Sequence, residues 1–123
     1  MTRFNMLNMR FKNTITQEKE LFVPYLNNHV GMYVCGITPY DFAHVGHGRC
    51  YVTFDVVYRL LTTLGYEVTY CRNFTDIDDK LLIRAENEYG DSSKYLAIAH
   101  RFIQAYHQDM QSMNCLNPDH EPR

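Results

Sequence analysis

The chain has 123 residues, 46% of them hydrophobic, and a formal net charge of −2, which sets the expectation of one small globular domain with a single core. That charge excludes an overall basic, electrostatically driven nucleic-acid binder, while leaving room for a local basic patch. No apolar run approaches membrane-crossing length and MTRFNMLNMRFKNT lacks the uninterrupted apolar core of a secretory leader, so the expected location is cytoplasmic, with no membrane partner.

Residues 12–23, KNTITQEKELFV, mix β-branched and charged residues in short runs and predict a hairpin or extended lead-in. The apolar run 29–35, ending at Gly36, predicts a buried strand. From about Gly46 to Leu64 the period changes. Val52, Val56, Val57, Leu60, Leu61 and Leu64 recur at helical spacing, and Gly65 follows as a left-handed end signal. Residues 66–74, YEVTYCRNF, predict a second strand. A helix of that length between two strands predicts a parallel pair with a right-handed crossover.

After TDIDDK, residues 81–87 predict a short helix stopping near Gly90, and Asp91 or Ser92 a cap for the next one. The following helix carries Tyr95, Leu96, Ala99, Phe102, Ile103, Tyr106, Met110 and Met113 on its apolar face. Asn117-Pro118-Asp119 ends it, and the tail DHEPR reads as an exposed connection. The fold class expected is therefore α/β: a parallel strand–helix–strand unit followed by helices.

Four cysteines, Cys35, Cys50, Cys71 and Cys115, are widely spaced with no CxxC pair. A closed structural zinc site built from local pairs is poorly supported, as is a disulfide framework. Cys50 and Cys71 are expected to pack as small apolar groups.

The stretch VCGITPYDFAHVGHGR bears the chemistry. In an open α/β sheet, ligands bind beyond the carboxyl ends of the strands, and Cys35, His44, Gly46 and His47 all fall between such a strand end and the next helix. A helix start offers N–H groups and partial positive charge to a phosphate, imidazoles add donors, and Gly46 clears space for a base or phosphate. Three readings stand on the residues alone: a nucleotide-phosphate site, a metal site using Cys35 with the His-x-x-His pair, and a polar loop rich in histidine. Asp76, Asp78 and Asp79 are read mainly as charge and caps for the following helix. His100 and His107 are read as surface or boundary residues.

The sequence MYVCGITPYDFAHVGHGR resembles the N-terminal signature of the cysteinyl-tRNA synthetase family, whose class I fingerprint His-Ile-Gly-His reads here His44-Val45-Gly46-His47. The likeness continues through Phe54-Asp55-Val56-Val57, Leu64-Gly65-Tyr66, Arg72-Asn73-Phe74-Thr75-Asp76-Ile77-Asp78-Asp79-Lys80 and Leu116-Asn117-Pro118-Asp119. Pro39 is a mild departure in a loop.

The resemblance implies the N-terminal half of a Rossmann-like catalytic domain that joins cysteine to ATP, with magnesium, and passes the cysteinyl group to tRNA(Cys). It implies His44 and His47 as catalytic ATP contacts, Gly46 as room for adenine, Gly36, Thr38 and Thr75 as cysteine contacts, and Cys35 as one ligand of a zinc that binds the substrate thiolate. It further implies that residues 1–123 are one portion of a nucleotide-binding domain. About 1–11 would be an extension, and 118–123 would lead toward an inserted domain. The remaining zinc ligands and the Lys-Met-Ser-Lys-Ser loop would lie elsewhere, so this chain alone is expected to be inactive. Two other readings remain: the related cysteine ligase of an amino-sugar thiol pathway, and a non-catalytic binding module.

Overall fold

The structure, a computed structural model, describes residues 8–123. The expected N-terminal extension falls largely on residues 1–7, outside the described residues. The lead-in is a hairpin: β1 (Arg10–Lys12) and β2 (Lys19–Leu21) pair antiparallel, with Arg10 opposite Leu21 and Lys12 opposite Lys19. The Asn13 carboxamide shapes its turn by accepting from the Ile15 N–H at 2.9 Å, the local bond that favours Asn in turns.

The centre is the parallel pair β3 (His29–Val34) and β4 (Glu67–Arg72), joined through α1 (Val45–Thr63). The register sets His29 beside Glu67 and Val34 beside Arg72, so both strands end at one level and both following loops leave from the same edge. After β4 come α2 (Asp79–Tyr89), a single 3-10 turn (Ser92–Lys94) and α3 (Tyr95–Ser112). Asp91 caps the 3-10 turn through the Ser93 N–H at 3.0 Å rather than capping α3 itself. No helix among the described residues is long and apolar enough to cross a membrane.

Alternation along the strands builds the core. Val34 and Tyr70 point inward and join Ile37, Tyr51, Phe74, Ile103, Tyr106 and Met110 in the main cluster. The aromatic contacts within it are edge-to-face, Tyr51–Tyr106 at 5.4 Å and Phe74–Tyr106 at 5.5 Å, the arrangement ring quadrupoles favour. A second cluster joins α2 to α3 through Leu81, Ala85, Ile98 and Phe102, and a third joins the hairpin to the end of α1 through Phe22, Val30, Leu61 and Tyr66.

Three expectations about strand and helix faces are corrected. β3 is buried on one face only: Tyr33 is 63% exposed on the other. The predicted stripe of α1 splits. Val57, Leu61 and Leu64 join the third cluster, whereas Val52, Val56 and Leu60 are exposed, and the inward face of the first turns is Gly48, Tyr51 and Asp55. Asp55 is buried because its carboxylate accepts from the Leu116 N–H at 2.8 Å and from Arg59 Nε at 2.7 Å, so it is fully paired. On α3 the buried stripe includes Ile98, while Leu96 and Met113 are exposed.

Residues 119–122, expected as an exposed connection, run beside β4. Arg72 and Phe74 donate backbone N–H bonds to the carbonyls of His120 and Pro122, each at 2.9 Å. Glu121 then reaches Arg72, an arginine 1% exposed, at 2.8 Å. The same guanidinium lies 5.1–5.2 Å from the ring centres of Tyr106 and Tyr51. A buried cation stands only when paired and surrounded by such partners.

Candidate functional site at the strand-to-helix edge

His44 is the cap of α1. It is held in extended backbone (φ −113°, ψ 173°) immediately before the first helical residue. Its Nδ1 accepts from the Gly46 N–H at 3.0 Å, and His47 Nδ1 accepts from the His44 N–H at 3.1 Å. The two rings lie face to face, 3.9 Å between centres and tilted by 31°.

This reciprocal cap dictates protonation. An Nδ1 that accepts an amide hydrogen must carry its lone pair, so each ring is neutral with its hydrogen on Nε2. Partial burial, and then the neighbouring His44, push the His47 pKa below its ordinary 6.5. Two Nε2–H donors are therefore presented at the positive end of a helix whose first turn holds no carboxylate.

The sequence predicted open backbone N–H groups at this helix start. In the structure the Gly46 N–H is taken by His44 Nδ1 and the His47 N–H by the His44 carbonyl. With the Gly46 and His47 amides engaged, the imidazole Nε2–H groups are further donors at this helix start. Gly46 also has a structural task, because a Cβ there would stand 2.8 Å from His44 Cε1 and displace the capping ring.

Beside the cap lies an open groove of about 640 Å³ whose lining includes His44, Val45, Gly48, Arg49, Val52 and Met113. Arg49 also borders a smaller hollow of about 310 Å³ with Gly46, Cys50 and Phe54. The groove sets apolar Val45, Val52 and Met113 beside His44 and Arg49, with Asp109, Thr53 and Ser112 completing its polar lining, a mixture that offers a flat base an apolar surface and phosphates a cationic side. The sequence reading passed over Arg49; its signal was a fixed cation half a turn beyond His47.

The other predicted residues gather at the strand ends. Thr75 donates its N–H to the Ile37 carbonyl at 3.0 Å, which sets Thr75 against the 35–38 turn. Gly36 passes so close to β4 that a Cβ would come within 1.4 Å of the Asn73 carbonyl oxygen, so only glycine fits. Cys35 is exposed and Thr38 half-buried. The structure thus forms two groups: His44, Gly46 and His47 at the helix start, and Cys35, Gly36, Thr38 and Thr75 at the strand ends.

The described residues do not make a zinc site. No three His, Cys, Asp or Glu side chains among them come together to hold a metal, whereas a protein zinc site uses three or four ligands. Cys35 contributes a single thiol. Cys50, expected to pack, is exposed on α1. Cys115 is half-buried, and burial pushes its thiol pKa up. In the acidic run, Asp78 caps α2 by accepting from the Lys80 N–H at 2.8 Å and Asp79 lies in the first turn, as the sequence predicted.

Residues 21–123 match the family described as tRNA synthetases class I (C) catalytic domain. The chain is 53% identical over 115 residues to a cysteine–tRNA ligase of Salmonella arizonae and, with the same figures, to one of Salmonella paratyphi B, covering 94% of this chain and 24% of each relative. It is 50% identical over 111 residues to a chloroplastic/mitochondrial cysteine–tRNA ligase of Arabidopsis thaliana, covering 90% of this chain and 19% of the relative. The chain therefore spans about a fifth to a quarter of the length of the curated relatives it matches.

Proposed function

Because the chain belongs to the class I (C) tRNA synthetase catalytic domain family, we propose that its strand-to-helix edge is the ATP and cysteine end of a cysteine–tRNA ligase. The observation that carries this reading is the reciprocal imidazole cap, which engages both Nδ1 atoms and leaves two Nε2–H donors at a helix start whose first turn is free of carboxylates. Identity of 53% to proteins named cysteine–tRNA ligase favours this over the amino-sugar thiol ligase and over a binding module.

In the first step a carboxylate oxygen of cysteine attacks the α-phosphorus of ATP. An O–P bond forms, the bond from Pα to the bridging oxygen breaks, and pyrophosphate leaves with the bonding pair. Negative charge redistributes over the phosphoryl oxygens, and His44 and His47 stabilise it as fixed donors. Gly46 and the adjoining groove accommodate the base, Arg49 supplies positive charge at the rim, and magnesium travels with the nucleotide. In the second step a ribose hydroxyl of the terminal adenosine of tRNA(Cys) attacks the cysteinyl carbonyl and AMP leaves.

Cysteine is held at the turn of Cys35, Gly36 and Thr38 opposite Thr75. A zinc at Cys35 would require ligands beyond those described. The expected setting is cytoplasmic, although one relative is named chloroplastic/mitochondrial.

The test is a chimera in which this chain replaces the matching 115 residues of the Salmonella arizonae relative. Cysteine-dependent exchange of label between pyrophosphate and ATP is expected. A folded chimera that binds ATP but shows no such exchange overturns the proposal.

A further inference from the structure

The peptide bond between Cys35 and Gly36 is gripped at both ends by side chains from different elements. Its carbonyl accepts from the Tyr51 hydroxyl at 3.1 Å, and its N–H donates to Asn73 Oδ1 at 2.8 Å. The Tyr33 hydroxyl donates to the same Oδ1 at 2.8 Å, which fixes the carboxamide with its oxygen toward the turn. Tyr51 is anchored in turn. It is 3% exposed, edge-on to Tyr106, and stands four residues, about one helical turn, beyond His47 on α1. Burial pushes its phenol pKa up to about 12, so the hydroxyl keeps its hydrogen and remains a donor throughout the functional range.

We infer that Tyr51 and Asn73 are positioning residues, which lock the plane of the Cys35–Gly36 peptide and so hold the cysteine-binding turn at a fixed offset from the helix that carries His44 and His47. Two atoms of one peptide, bonded from two sides, leave that plane no freedom to flip. Because the direction of the Cys35 side chain and the Gly36 amide both follow from it, the lock acts on the amino-acid side of the site and leaves the nucleotide side alone. The turn that receives cysteine is therefore pre-organised before the amino acid arrives, and loosening it weakens cysteine binding rather than the nucleotide side of the site. Neither residue reaches the histidines or the groove beside them. The inference rests on the reading of Cys35, Gly36, Thr38 and Thr75 as the cysteine-binding turn.

Two measurements test it. In the 123-residue chain, residue-resolved amide exchange should show the Gly36 N–H protected, freed by Asn73→Ala and protected again in Asn73→Asp, which keeps an acceptor oxygen at the same place. The Thr75 N–H, bonded to the Ile37 carbonyl, should stay protected in all three, which separates loss of the lock from loss of the fold. In the chimera, Tyr51→Phe keeps the ring and removes only the hydroxyl. It and Asn73→Ala should each raise KM for cysteine about 5- to 10-fold, the worth of one hydrogen bond, with KM for ATP within about twofold, and Asn73→Asp should restore most of the loss. Unchanged cysteine KM in both variants, equal rises for cysteine and ATP, or an unprotected Gly36 amide in the parent chain would each overturn the inference. If the parent chimera shows no cysteine-dependent exchange, the functional reading fails, and the exchange pattern at Gly36 still decides whether the lock exists.

Discussion

The two strand-to-helix crossovers of this protein occupy equivalent places and carry opposite chemistry. β3 leads to α1 and β4 to α2, both from the same edge of the parallel pair. α1 is capped by a neutral imidazole and has no acid in its first turn, whereas α2 is capped by Asp78 and has Asp79 in its first turn. Either cap satisfies backbone donors. Only the carboxylates also cancel the positive end of the helix. The second crossover is therefore closed to anions by its own side chains, and the first is left open to them.

The largest effect expected from breaking this contrast comes from removing the imidazoles. In the chimera, His44→Ala and His47→Ala should each slow cysteine-dependent pyrophosphate exchange by about 10²–10³ while weakening ATP binding far less, because fixed donors act mainly on the charge that develops in transfer. Equal losses in rate and in ATP affinity would show uniform binding instead.

A milder break makes α1 resemble α2. Val45 is the first helical residue and is 90% exposed, so Val45→Asp leaves packing intact and sets a carboxylate where α2 has Asp79. KM for ATP should rise about tenfold, consistent with about 1.4 kcal/mol of repulsion, with KM for cysteine unchanged. An unaltered ATP KM would mean that phosphate does not approach this helix end.

The converse change should leave chemistry untouched. Asp78→Ala removes the cap of α2 and should destabilise the fold by about 1 kcal/mol, visible in chemical denaturation, with exchange activity altered less than twofold. A large loss of activity would assign the acidic run a role in the reaction.

The smallest effect concerns pH. His47 titrates below its ordinary 6.5 in the folded state, so the unfolded chain binds the proton more readily. The stability this contributes is complete above about 6.5 and falls as pH drops through that value. His47→Gln should flatten the decline between about pH 7 and 5. A steeper decline in the variant would contradict the neutral cap.

The crossover itself was legible because a change of hydrophobic period from two to helical spacing, punctuated by Gly65 (φ 92°), encodes it locally. So was the place of His44, Gly46 and His47 at the helix start. The inward face of α1 was not legible. Asp55 is buried by a bond to Leu116, sixty-one positions away, and hydropathy carries no trace of a partner that distant. Val52, Val56 and Leu60 read as core because periodicity reports an apolar stripe without saying what covers it. Tyr51 and Asn73 were invisible for a related reason: each acts through a backbone group of another element, and main-chain partners leave no pattern in side-chain spacing.

Arg72 also sets an order of events during synthesis. Its carboxylate partner, Glu121, lies forty-nine residues later in the chain, and one of the three rings around it, Tyr106, also comes later, on α3. At the usual 5–20 residues per second a ribosome needs about 2–10 s to supply that span. Until then a guanidinium on the central strand has no counter-charge, and closing rings over it would strand a desolvated cation. The strand pair and α1 can form early, but the core around Arg72 seals only once Tyr106 and Glu121 have emerged.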